Sequence, residues 1–174
     1  MVILKPLMSE SKIQNFNHLK IHTQYSICEG AIKIDDLKDF TKENKIKSLA
    51  ICDTSNLCGA LEFAEKISKS GTQPIIGTQI NFKYNDIIGL LPLYALSENG
   101  YKKIIEFSSS SYLKNETIHD PHLNFDDLLN NNDGVAIFSG TINGFFGQLF
   151  NKGKFNEISK LYSKLKSKYK DRFY

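Results

Sequence analysis

Apolar residues fall along the chain in two spacings. Some form short unbroken or alternating runs, as in buried strands; others recur every three or four positions, as along one side of a helix. Residues 16–22 alternate with period two and predict a first strand. Over 34–44, Leu37, Phe40 and Thr41 fall on one side of a helix. Residues 48–52 form an apolar run short enough for a buried strand, ended by Asp53. Over 57–70, Leu57, Leu61, Ala64 and Ile67 recur at helical spacing, and Gly71 stops that helix. Strands are predicted at 75–82, 90–96 and 135–138. A helix over about 99–112 and a polar loop over 114–124 separate the last two of these. A short helix follows at 144–150 and a longer one at 155–169, whose apolar side reads Phe155, Ile158, Tyr162, Leu165 and Tyr169.

Strands alternating with helices imply βαβ units, right-handed crossovers and a mainly parallel sheet or barrel, an α/β fold. No internal repeat, low-complexity tract or Pro/Gly linker divides the chain, so residues 16–174 read as one domain behind an N-terminal extension, 1–15. The chain ends on an aromatic pair, Phe173 and Tyr174, which reads as the start of a further strand, so carboxy-terminal strands are expected to be missing.

Composition narrows the class without naming a chemistry. Apolar residues are 41% and charged residues 24%, ordinary for a soluble domain with a real core. The net charge of +3 comes almost wholly from lysine, with Arg172 the only arginine, which argues against a dedicated tight nucleic-acid surface. Cys28, Cys52 and Cys58 fit no CxxC or zinc-ribbon spacing and read as reduced thiols of a cytoplasmic protein. No apolar run is long enough to span a membrane, and the first fifteen residues, with Lys5, Glu10 and Lys12, lack the pattern of a signal peptide.

In α/β barrels, chemistry gathers at the carboxyl ends of the strands. His18, Lys20 and His22 share one face of the first predicted strand. Two imidazoles there could bind zinc or manganese, but an ammonium between them opposes a divalent cation. His119 and His122, flanking Pro121, read as members of a polar surface loop. Asp35, Asp36, Asp126 and Asp127 sit near helix starts, where capping and the helix dipole explain them. No nucleophile elbow, Walker loop or dinucleotide fingerprint is present.

Three segments taken in order, FNHLKIHTQYSICEGAIKIDDL, LAICDTSNLCGALEF and GTQPIIGTQINF, resemble the PHP (polymerase and histidinol phosphatase) family. They are most similar to the version that opens bacterial replicative DNA polymerase III alpha subunits; LSENGYKKII and GVAIFSGTINGFFGQLF match the shape of later segments. The resemblance implies an incomplete, distorted (β/α)7 barrel. Active members hold several metal ions with His, Asp and Glu and hydrolyse phosphoesters. Carried over residue by residue, the H-x-H pair falls on Lys20 and His22, and the acid of the first motif on Glu29. The T-D-H of the second motif falls on Cys52, Asp53 and Thr54, and the glutamate of the third on Gln79; the final D-x-H lies beyond Tyr174.

The resemblance thus implies a degenerate site, with Lys20, His22, Glu29, Asp53, Thr54 and Gln79 as vestigial ligand positions. No metal, cofactor or catalytic residue is expected in this chain. Lys20 is expected to stand in for the lost cation beside Glu29 and Asp53. The implied role is DNA replication, as a scaffold that docks the proofreading exonuclease subunit within a nucleotidyltransferase. That polymerase would use magnesium and meet DNA through its other parts. The alternatives are a free-standing metal-dependent phosphoesterase and an unrelated (β/α) protein.

Overall fold

The computed structural model describes residues 16–115, 121–130 and 133–174. The predicted extension 1–15 and His119 lie outside the described residues. The chain forms, in order, α1 (Ile34–Glu43), β1 (Ser48–Thr54), α2 (Ala60–Lys69), β2 (Gln73–Tyr84) and β3 (Ile87–Ala95). Then come α3 (Glu98–Leu113), β4 (His122–Asn124), a 3-10 turn (Phe125–Leu129), β5 (Val135–Ile137), α4 (Phe145–Asn151) and α5 (Phe155–Tyr169). A second 3-10 turn (Lys170–Arg172) follows α5.

The sheet runs β1-β2-β3-β5, with β4 also paired to β2. It is mixed, which corrects the expectation of mainly parallel strands. β1 and β4 are parallel to β2, whereas β3 is antiparallel to both β2 and β5. The cause is the connection between β2 and β3: only Asn85 and Asp86 join them, and so short a link can make only a hairpin. Asn85 takes φ 52, the left-handed conformation such turns need and asparagine tolerates. Ending one strand at 82 and starting the next at 90 concealed this turn.

The first predicted strand is also corrected. Residues 16–22 form no ladder; the segment lies along β1 through two bonds, Ala50 N–H to His18 O (2.9 Å) and Cys52 N–H to Ile21 O (2.8 Å). Beyond it, Thr23 makes a single parallel bridge to Ile32. On the far side of the sheet Phe173 bridges Ile137 in parallel, beside β5.

Alternation along the strands sorts side chains to two faces. Leu49 and Ile51 of β1 pack with Ile34, Leu37, Phe63 and Ile67 of α1 and α2. Ala50 and Cys52 face the opposite way, against Tyr94 and Ala136, with Leu19 over them. A larger cluster joins β2 and β3 to α3, α4 and α5 through Ile80, Phe82, Leu91, Ile104, Phe145 and Leu165, among others. The Tyr94 ring lies where a Cβ on Gly77 would sit, 2.5 Å away, so glycine is required there. Its hydroxyl donates to Leu19 O at 2.9 Å and so ties the segment before β1 to the sheet.

Helix lengths matched the pattern better than helix faces did. α5 spans the predicted residues, but its buried side is Leu161, Leu165 and Tyr169, while Phe155 and Tyr162 are exposed. Tyr162 instead leans on Phe173, with centroids 5.0 Å apart. In α1, Ile34 joins Leu37 and Thr41 inside and Phe40 faces out. In α2 the core residues are Ala60, Phe63 and Ile67, and Leu61 is 71% exposed. Phe63→Ala should therefore cost about 3–5 kcal/mol of stability, and Leu61→Ala no more than about 0.5, read from urea unfolding of the two variants. Equal losses would show that the face has been assigned wrongly.

Candidate functional site

The site is built where β1 ends and the 23–30 loop folds over it. Asp53 is buried, and both carboxylate oxygens are taken by that loop. Oδ1 accepts from Thr23 N–H (2.6 Å) and the Ser26 hydroxyl (2.6 Å), and Oδ2 from the Thr23 hydroxyl (2.8 Å). The same hydroxyls accept in turn: Thr23 Oγ1 from Tyr25 N–H and Ser26 Oγ from Thr54 N–H, both at 3.2 Å. The Asp53 carbonyl accepts from the Thr78 hydroxyl at 2.6 Å, which binds the knot to β2. Hydrogen bonds to a buried carboxylate are among the strong ones, and here they offset its desolvation.

The outside of the loop is held by an ionic chain. The Tyr25 hydroxyl donates to Glu62 (2.7 Å), and Lys66 reaches both Glu62 and Asp35 at 2.8 Å, linking the loop to α2 and α1. Hydrogen bonding to the Lys66 ammonium holds the Asp35 and Glu62 carboxyls below the usual range, and Tyr25 adds to the effect on Glu62.

Above the knot lies a cleft of about 200 Å³, lined by Lys20, His22, Glu29 and Gln79, by Pro92, and by the loop around Gly140 to Gly144. A polar chain crosses its floor. Gln79 Nε2 donates to Thr54 Oγ1 at 2.7 Å, and the Thr54 hydroxyl donates to Glu29 Oε2. His22 Nδ1 stands 3.8 Å from that oxygen. His22 Nδ1 and Gln79 Oε1 are buried without a hydrogen-bond partner.

The residues named from the sequence are thus brought together at the end of β1 and in the cleft above it. Among the described residues no three His, Cys, Asp or Glu side chains gather in a donor set. Asp53 is committed to the loop, Thr54 and Gln79 are neutral and bonded to each other, and Lys20 places an ammonium on the rim. His22 and Glu29 remain, too few for a group of metal ions held by several Lewis bases. His18 does not line the cleft; its ring meets Phe16 edge-on.

Lys20 is exposed and forms an ion pair with neither Glu29 nor Asp53, so it does not replace a buried cation. The Asp53 carboxylate is instead satisfied by hydrogen bonds from Thr23 and Ser26, which sequence reasoning missed. Their signal was two hydroxyl residues three apart at the mouth of a loop, the pattern that caps backbone and carboxylate groups. Cys52 is inert: burial pushes its thiol up to about 12. Asp126 and Asp127 do begin a 3-10 turn, where Asp127 and Asn124 form a reciprocal capping box.

Removing the Asp53 carboxylate strands three buried donors. Asp53→Ala should cost about 3 kcal/mol or more, against under about 1 for Glu29→Ala on the open side of the cleft, measured by chemical denaturation. A second expectation concerns acid. Because Asp35 and Glu62 are held low in the folded chain, their contribution is present above the unfolded carboxyl range of about pH 4 and is lost as pH falls through the folded values. Lys66→Met should accordingly flatten the acid limb of a Tm-versus-pH curve. An unchanged limb would show the chain to be screened by solvent.

Residues 18–174 match the family model described as the PHP domain. The DNA polymerase III subunit alpha of Caulobacter vibrioides is 32% identical over 180 residues, covering 96% of this chain and 15% of the relative. That of Rickettsia felis is 32% identical over 160 residues, covering 91% of this chain and 13% of the relative. The chain therefore spans about 15% of the length of such relatives. Among solved structures, a protein described as a proposed metal-dependent phosphoesterase from Bifidobacterium adolescentis aligns at TM-score 0.45 and 18% identity. It covers 56% of this chain and 33% of its own, a likeness too loose to carry an argument. The family match across nearly the whole described chain, with the motif residues converging on one cleft, places this chain in the PHP domain family.

Proposed function

We propose that this chain is a non-catalytic PHP domain, a partial barrel, of a DNA polymerase III alpha subunit, working in DNA replication as scaffold and as docking site for the proofreading exonuclease subunit. The observation that carries the reading is the fate of Asp53: the carboxylate at a ligand position now holds the loop above it, while Lys20, Thr54 and Gln79 stand at three other ligand positions. The packing around it is intact, from Leu49 and Ile51 to Phe63 and Ile67. A fold kept while its donor set is gone fits a domain retained for its surface and its stability. In this reading the parent protein is a magnesium-using, DNA-directed DNA polymerase of the cytoplasm, and DNA is handled chiefly by its other parts. No helix among the described residues is long and apolar enough to cross a membrane.

A second reading, a metal-dependent phosphoesterase, draws on one observation: His22 Nδ1 and Gln79 Oε1 are buried and unpartnered at the cleft. Elemental analysis of dialysed protein separates the two. The scaffold reading expects no stoichiometric manganese or zinc and no turnover of a generic phosphoester. A full equivalent of metal, with turnover abolished by His22→Ala, would establish the phosphoesterase instead. Docking is read by titrating the cognate exonuclease subunit against polymerase with and without this domain. A marked loss of affinity on deletion is expected, and equal affinity would leave the domain only a structural role.

A further inference from the structure

The net charge of +3 conceals an asymmetry. From Lys152 to Tyr174 there are eight basic residues and two acidic ones, a net +6, so the preceding 151 residues carry −3. Half of this charge is on α5, whose inner side, Leu161, Leu165 and Tyr169, is buried in the main core. Lys160, Lys164 and Lys168 stand four residues apart along one flank. At 1.5 Å per residue their Cα atoms are about 6 Å apart and the row is about 12 Å long. Ser163 and Ser167 are exposed beside them.

The row is weakly compensated. Lys164 has one partner, Asp126, at 3.8 Å. Lys160 and Lys168 pair with no carboxylate among the described residues. The nearby basic residues differ: Lys152 and Lys154 are both held by Asp86, Lys166 donates to Phe173 O, and Arg172 donates to Val135 O. Like charges at i, i+4 destabilise a helix. The helix dipole favours lysines in the last turn, Lys166 and Lys168, but gives no reason for Lys160 in mid-helix.

We propose that this flank of α5 is a contact surface for the phosphate backbone of DNA, without sequence preference. Two features favour a nucleic acid over an acidic protein segment. The charges are evenly spaced, as suits a periodic polyanion, which presents about one charge per 3.4 Å of axis on each strand. Between the lysines stand serines, which bond phosphate oxygens, and no aromatic or arginine anchor of the kind that dominates protein interfaces; lysine itself is depleted there. Lysines make point contacts to phosphate, without the planar fork that arginine brings to a recognition site. The surface is therefore weak and sensitive to salt, in keeping with the modest net charge. It rests on the reading that the chain works within a DNA polymerase, but not on exonuclease docking.

The test is fluorescence anisotropy of a labelled DNA duplex of random sequence, titrated with the full 174-residue chain over a range of salt. Binding should weaken as salt rises. The triple variant Lys160→Gln, Lys164→Gln, Lys168→Gln should lose about tenfold or more in affinity and reduce the salt slope by about 2–3. The charge-matched control Lys42→Gln, Lys47→Gln, Lys69→Gln, at exposed positions that pair with no carboxylate among the described residues, should leave the slope nearly unchanged. The arginine triple at 160, 164 and 168 should restore binding. Circular dichroism melts confirm that each variant folds. Equal losses in the α5 triple and the control would overturn the proposal, since the attraction would then belong to the whole molecule. So would an absence of duplex binding at low salt, or capture of a glutamate-rich peptide in its place. Failure of the exonuclease titration leaves this result standing, because the two experiments read different partners.

Discussion

One buried carboxylate sets the shape of the functional end of this molecule. Asp53 closes β1, and its oxygens draw in the backbone and hydroxyl of Thr23 and the hydroxyl of Ser26. A charge in a protein interior is tolerable only when its hydrogen-bonding capacity is filled. That requirement fixes where the 23–30 loop lies. The loop in turn places Glu29 against Thr54 and presents Tyr25 to Glu62. The helices α1 and α2, the sheet edge and the cleft are thus joined through a single residue.

In the rest of the cleft a single polar chain runs across the strand ends. Gln79 and Thr54 face each other across the parallel pair β1 and β2, and Gln79 Nε2 donates to Thr54 Oγ1. In place of converging negative charge there is a string of hydrogen bonds ending on one exposed carboxylate. Such a string rigidifies the strand ends.

Much of this was legible in the sequence, and the failures have identifiable causes. Short apolar runs found β1, β2, β3 and β5, and helical spacing found α1, α2 and α5, because burial imposes those periods. The motif residues Lys20, His22, Glu29 and Gln79 line one cleft. Strand direction was lost because it depended on two turn residues, Asn85 and Asp86, which a search for periodicity passes over. Helix faces slipped because apolar residues such as Leu61 and Tyr162 occupy outer positions and dilute the pattern. The role of Thr23 and Ser26 was hidden because a hydroxyl looks alike in a loop and in a buried knot until its acceptor, thirty residues away in the case of Thr23, is known. Lys20 misled for the opposite reason: its place at a family ligand position suggested an ion pair with Glu29 and Asp53 that the geometry does not form.

The fit between Tyr94 and Gly77 bears on how this domain can drift over time. The ring occupies the volume that any side chain at position 77 would need, and its hydroxyl anchors the segment that carries Lys20 and His22. Neither position can change size alone without pushing that segment off the sheet. Substitutions at 77 and 94 are therefore coupled, and a lineage acquiring a side chain at 77 should carry a smaller residue at 94 and a different tether for the backbone at Leu19. Covariation between these two positions would be the evolutionary trace of a steric exchange, independent of whatever the cleft does.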